Sequence, residues 1–288
     1  MALKILLAFL VACAPGFAQF GLRSPGFAGA RPVDATASWT PASAAGLKLW
    51  FKAETLTGSE GSSIAGWANN APGYGDWYLT NATAAQRPYL TNTFNGLTGT
   101  NALFFNGLTN WFTLSNATAL SVTRVVASCS IVAVARVGQN GQTKPFLFIM
   151  NNSAGLSVRE SLALYASEVV DSGQRTLDAD TAALGRLAHA SSTNVALCYQ
   201  VDHVHTNIVA VTGSAITIYT NNVAGTNVIG ATPGYTSDTA SYAIRVGLES
   251  GPAYFLGEIA ELCLYVPAIS SAERGSNYTH FKNKYQLP

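Results

Sequence analysis

Short apolar runs rich in β-branched and aromatic residues recur from "LKLWFKA", starting at Leu47, to "IAELCLYV", ending at Val266. Between them lie "NALFFNGL", "CSIVAVARV", "KPFLFIM", "LALYASEVV", "NVALCYQVD", "TNIVAVTG", "AITIYTNN" and "YAIRVGLE", separated by clusters of Asn, Gly, Ser and Thr. Strand-length runs punctuated by turn formers, with almost no sustained helical period, predict an all-β chain folded as a two-sheet antiparallel sandwich. Within it, "NIVAVTGSAITIYTNNVAG" predicts a hairpin turning at Gly213-Ser214.

The clearest helical period comes at the end. Ser270-Ser271-Ala272-Glu273 has the spacing of a capping box, which satisfies backbone N–H groups that a helix start leaves unpaired. Tyr278, Phe281 and Tyr285 then form a single apolar stripe able to dock on the sandwich. Residues 19–45 are rich in Gly, Pro, Ala and Ser without a period, and read as a linker or lead-in segment. No repeat or internal linker interrupts residues 46–288, so one domain is expected there.

The first residues predict export. "MALKILLAFLVACAPGFAQ" sets Lys4 before an apolar run from Ile5 to Ala14 and the small-x-small pattern Gly16-Phe17-Ala18. That is the layout of a secretory signal peptide over residues 1–18, with cleavage after Ala18. The run is too short for a transmembrane helix. Leu10-Val11-Ala12-Cys13 resembles a lipobox, which would make Cys13 a lipid anchor instead. Either route places the mature chain outside the cytoplasm, secreted or at the cell surface.

Composition narrows the choices. Of 288 residues, 48% are hydrophobic and 11% charged, with a formal net charge of +1. A sizeable core is therefore expected and global disorder is not. Nothing supplies the basic patch that nucleic acid requires. Cys129, Cys198 and Cys263 would remain after cleavage, each inside an apolar run. They read as buried thiols, with one disulfide and a leftover thiol as the alternative.

"GLKLWFKAETLTGSEGSSIAGWAN", "RPYLTNTFNGLTGTNALFFNG", "ITIYTNNV" and "YFLGEIAELCLYVPAISSAERGSNYTHFKNKYQL" follow one another from Gly46 to Leu287. In that order they resemble the concanavalin A-like lectin/glucanase superfamily, in its bacterial laminin-G-like branch. One departure is Asn222, which stands where that branch usually has Gly. The resemblance implies a jelly roll of two antiparallel sheets. It also implies a choice among lectins, adhesion modules, glucanases, lyases and surface parts, which fold alone does not decide.

Glucanases of this superfamily carry Glu-x-Asp-x-Glu, or the bulged Glu-x-Asp-x-x-Glu, on one strand. Setting the bulged pattern to end at Glu261 puts Leu256 at the first carboxylate and Glu258 at the Asp. In a regular strand Glu258 and Glu261 also point to opposite faces, against the close pair that retaining hydrolysis needs. No catalytic residue is assigned on that basis. Glu258 is expected to be solvated or at a sheet edge, and Glu261 to satisfy backbone or loop donors.

Other clusters are weaker. His203 and His205 in "VDHVHT" share a strand face, a two-ligand arrangement that lacks a third ligand. Asp178 and Asp180, with Asp171 nearby, have spacing suited to a Ca²⁺ loop and equally to a solvated one. The sequons at Asn81, Asn116, Asn151 and Asn277 matter only in a glycosylating host.

For sugar recognition the aromatic residues are the signal. "NNAPGYGDWYLTNAT" sets Tyr74, Trp77 and Tyr78 around Asp76, and Trp111 follows Asn110. Such rings either stack on a sugar's C–H face beside hydroxyl-binding Asp and Asn, or plug one end of the sandwich. Trp50 and Trp67 read as core. The leading expectation is a non-catalytic carbohydrate-binding or adhesion module at the cell surface, with glycan, polysaccharide or surface proteins as partners. Alternatives are a structural subunit of an extracellular layer, filament or particle, and a glucan hydrolase or lyase.

Overall fold

The chain builds strands where its apolar residues alternate or run unbroken, and the register between strands explains which pattern each shows. A computed structural model describes residues 38–114, 116, 118–119, 128–138, 146–152, 161–165, 174–176, 196–205, 214–224, 228–230, 242–248 and 254–288. In chain order the strands are β1 (Leu47–Lys52), β2 (Gly66–Ala68), β3 (Tyr78–Thr80), β4 (Tyr89–Phe94) and β5 (Leu97–Asn106). Next come β6 (Phe112–Leu114), β7 (Ser128–Val137), β8 (Phe146–Asn152), β9 (Ser161–Tyr165), β10 (Gln174–Thr176) and β11 (Leu197–His205). The last are β12 (Ser214–Thr220), β13 (Val223–Ala224), β14 (Val228–Gly230), β15 (Tyr242–Val246) and β16 (Leu256–Tyr265), before helix α1 (Ser271–Tyr285).

Among the described residues the strands form two antiparallel sheets. One has nine strands and runs β13-β12-β11-β7-β16-β5-β4, with β1 also on β16 and β14 also on β12. The other has seven and runs β10-β9-β8-β15-β6-β3-β2. The expected antiparallel β-sandwich with a C-terminal helix is the fold.

Two apolar clusters account for the burial. Between the sheets lie Leu49, Phe51, Trp67, Leu79, Phe105, Phe112, Ile131 and Ile259. On the far side of the nine-stranded sheet, Val132, Val134, Cys263 and Tyr265 pack with Phe281 and Tyr285 of α1. β7 and β16 are covered on both faces, which is why they read as unbroken apolar runs rather than as alternating ones. Burial at roughly 25 cal/mol per Å² of apolar area makes these two layers the main source of stability.

The capping box forms as expected. The Glu273 backbone N–H donates to Ser270 Oγ at 3.3 Å, and Glu273 Oε2 accepts from the Ser270 N–H at 2.8 Å. Phe281 and Tyr285 are buried and Tyr278 is half-buried against the same cluster. The expected hairpin turn at Gly213-Ser214 is corrected. Ser214 already belongs to β12 and pairs with His205 of β11. The tight turn comes instead after β12, where Asn221 and Asn222 take φ of 50° and 63° before β13. Asn tolerates this left-handed region, so the missing Gly is no obstacle.

Candidate functional site

Alternation on three neighbouring strands of the seven-stranded sheet builds one outward face. On β3, Leu79 is buried while Tyr78 and Thr80 are exposed. On β6, Phe112 and Leu114 are buried and Thr113 is half-buried between them. On β15, Ile244 and Val246 are buried and Arg245 is half-buried. Register sets Thr80 opposite Thr113, and Thr113 opposite Arg245, so the three form one cross-strand row.

Aromatic residues flank that row, one on each side along the strands. Tyr78, 51% exposed, is two residues from Thr80 on the same face. Trp111 is two residues from Thr113 in the opposite sense, because β3 and β6 are antiparallel. At about 3.3 Å per residue the two positions are about 13 Å apart along the strands. Trp111 is held firmly. Its N–H donates to the Gln86 carbonyl at 3.0 Å, its carbonyl accepts from Asn81 Nδ2 at 2.8 Å, and its indole Nε1 donates to Gln86 Oε1 at 3.3 Å.

The rest of the expected aromatic platform closes up. Trp77 is 7% exposed and belongs to the core between the sheets, with Tyr74 tilted against it at 4.6 Å between ring centroids. Its face is therefore covered, and of the two roles left open for these rings Trp77 has the packing of a plug between the sheets. Tyr74 is half-buried and its hydroxyl accepts from Lys48 Nζ at 3.0 Å. Asp76 is exposed beside it in the loop. Buried Asn69 organises this loop: its Oδ1 accepts from the Trp50 and Ala71 N–H groups, and its Nδ2 donates to the Lys48 and Tyr74 carbonyls. Trp67 is buried in the core and Trp50 is buried beneath α1, as read from the sequence.

The two glutamates of β16 correct the sequence reading in detail. Against β7, Glu258 pairs with Arg136, Ile259 with Ala135, and Glu261 with Val134, leaving Ala260 as the extra residue of a β-bulge. The bulge restores the period that regular alternation would break. Glu258 and Glu261 consequently share the outer face of the nine-stranded sheet instead of pointing apart. Neither is solvated. Glu258 is 5% exposed and paired with Arg136 Nη2 at 2.7 Å. Burial pushes its carboxyl up despite that guanidinium.

Glu261 is fully buried beneath α1 and served by side chains rather than by backbone. Trp50 Nε1 donates to its Oε2 at 2.6 Å, Tyr285 OH to its Oε1 at 2.7 Å, and Lys284 Nζ pairs with the same Oε1. Lys284 also reaches Glu54 at 2.7 Å. A carboxylate so enclosed joins the helix to the sheet; it does not open with Glu258 onto a shared cleft.

Asp202 lies on the helix-bearing face too. It accepts from Ser130 Oγ and Gln200 Nε2 and pairs with Arg274 at 3.0 Å. Burial still raises its carboxyl above the usual range. Cys129, Cys198 and Cys263 are buried, and burial pushes the Cys198 thiol up to about 12. The side-chain amides of Asn81 and Asn277 are buried and hydrogen-bonded, so a glycan on either sequon is incompatible with this fold.

Several expectations fall elsewhere. Residues 1–18, Cys13, Asp171, Asp178 and Asp180 lie outside the described residues. His203 and His205 are in β11, paired in register with Cys129 and Ser214 respectively. Among the described residues no group of three or more His, Cys, Asp or Glu is placed to share a metal, and no helix is long and apolar enough to cross a membrane.

No family model and no curated protein matches the chain. Solved structures do share its fold. A Trypanosoma rangeli sialidase superposes with a TM-score of 0.52 at 13% identity, over 84% of this chain and 33% of its own. The Trypanosoma rangeli sialidase in complex with sialic acid gives 0.50 at 11% identity, over 84% and 34%. The binding domain of Paraclostridial Mosquitocidal Protein 1 gives 0.53 at 10% identity, over 83% and 53%. The chain thus spans about a third of the sialidase chains and about half of the mosquitocidal one. At such identities the likeness is one of fold, an antiparallel β-sandwich shared with the binding domain of the mosquitocidal protein and with part of a sialidase.

Proposed function

We propose that the chain is a carbohydrate-binding module with a lectin-like sandwich, taking glycan on the outer face of its seven-stranded sheet. The observation that carries this reading is the polar row Thr80, Thr113 and Arg245 set between Tyr78 and Trp111. A half-exposed aromatic ring offers a face for a sugar's C–H groups. Hydroxyl and guanidinium groups on a rigid sheet supply the few convergent polar contacts that fix orientation. The distance between the two aromatic positions suits an oligosaccharide better than a single ring.

The positive charge that Arg245 brings to this face favours glycans that carry a carboxylate. That one structural neighbour holds sialic acid makes sialylated glycans the natural first probe. Membership of the concanavalin A-like superfamily, export through the first 18 residues, and adhesion at a cell surface complete the reading.

A glycan array probed with the wild-type chain and with Tyr78→Ala and Arg245→Ala tests it. The expected result is binding to a defined glycan set, weakened at least about tenfold in both variants, as losing one good contact would do. Absence of binding across the array, or binding that neither substitution alters, would overturn it.

A further inference from the structure

We propose a second ligand site, centred on Glu258 on the outer face of the nine-stranded sheet, that takes a neutral hydroxyl-bearing ligand such as a hexose unit. It rests on residues that take no part in the Tyr78 face. Four adjacent strands bring Tyr89, Phe104, Glu258 and Arg136 into direct register, one beside the next. Their sequence neighbours Leu90, Leu103, Phe105, Ile259, Ala135 and Val137 fill the core between the sheets, so these four turn outward.

The two buried carboxylates of β16 differ in one respect. Both oxygens of Glu261 have donors, whereas Glu258 uses only Oε1, and among the described residues its buried Oε2 has no hydrogen-bond partner. A buried acceptor left unmatched is costly, and native proteins leave very few. The missing partner must be a donor. Arg136 already neutralises the charge of Glu258, which favours a neutral hydroxyl over a cation. The rings of Phe104 and Tyr89, both half-buried, lie on the side away from Arg136 and can receive the apolar face of the same ligand. Glu60 lies near enough to push the Glu258 carboxyl further up, which disfavours an anionic ligand at this place.

The two sites are thus expected to differ in taste, the Tyr78 face taking acidic glycan and the Glu258 site taking neutral sugar. NMR titration of the full chain with lactose, maltose and cellobiose, each to millimolar concentration, tests this. The expected result is saturable shifts at the amides of Phe104, Arg136 and Ile259 with at least one sugar. They should be unchanged in Tyr78→Ala and weakened at least about tenfold in Glu258→Gln. Because Glu258→Gln also disturbs Arg136, Tyr89→Ala on the rim is the second variant, and it should weaken the same shifts. No shifts with any of the three sugars, shifts confined to Tyr78 and Arg245, or shifts indifferent to both Glu258→Gln and Tyr89→Ala would overturn the proposal.

Discussion

Trp50 and Glu261 stand 211 positions apart in sequence, yet the indole N–H of one donates to the carboxylate of the other at 2.6 Å. With Tyr285 and Lys284 on the second oxygen, this carboxylate joins β1, β16 and α1. Removing it leaves three donors facing a buried hole. Glu261→Ala is expected to lower stability by about 3–5 kcal/mol, the usual cost of breaking a buried pair from one side. Tyr285→Phe, which removes a single bond, should cost about 1–2 kcal/mol. Urea unfolding measures both, and a cost below about 1 kcal/mol for Glu261→Ala would contradict the hub.

How far this was legible from sequence differs between residues. The strands and the Ser270–Glu273 capping box were readable because their signals are local. The shared face of Glu258 and Glu261 was not. It depends on a bulge placed where the neighbour along one edge of β16 changes from β5 to β1, strands more than 150 residues earlier. Tyr78 and Trp77 could have been told apart. "WYLT" alternates, with Trp77 and Leu79 inward and Tyr78 and Thr80 outward, but its Gly- and Pro-rich approach makes it read as loop. Arg245 sits between buried Ile244 and Val246, a legible outward position. That it faces Thr113 is a matter of register across more than 130 residues, which no local pattern carries.

Alkaline pH should loosen the helix. Burial works against the Lys284 ammonium, but Glu261 and Glu54 beside it raise it above the usual lysine range. Burial and the Glu261 charge together hold the Tyr285 phenol well above its usual range. Both groups are raised in the folded state, so their contribution is complete below about pH 10 and is lost as pH climbs past it. Unfolding midpoints between neutrality and strong alkali should fall less steeply for Tyr285→Phe than for wild type; equal slopes would contradict the assignment.

Mild acid should act through His280. Burial holds its imidazole below the ordinary histidine value, between the rings of Trp39 and Phe281. A depressed histidine takes its proton more readily when unfolded, so stability is lost as pH drops through about 6.5. The stability difference between wild type and His280→Gln, followed across that window by thermal melting, should change with pH. A difference that stays constant would remove His280 from the account.

Adjacent aromatic residues should show opposite phenotypes. Trp77→Ala opens a cavity between the sheets and is expected to cost about 3–5 kcal/mol. Tyr78→Ala removes an exposed ring, so its cost should stay within about 0.5 kcal/mol while glycan binding falls. Denaturation and binding measured on the same two preparations check the split. Trp77→Ala that folds normally yet fails to bind would reverse the assignment.

The most direct test of the central claim is a crystal structure of the full chain with the glycan that scores highest on the array. The expected result is sugar density over the Tyr78 ring, with hydroxyl or carboxylate groups within hydrogen-bond distance of Thr113 and Arg245. Density at the Ala71–Trp77 loop with the Tyr78 face left bare would contradict it.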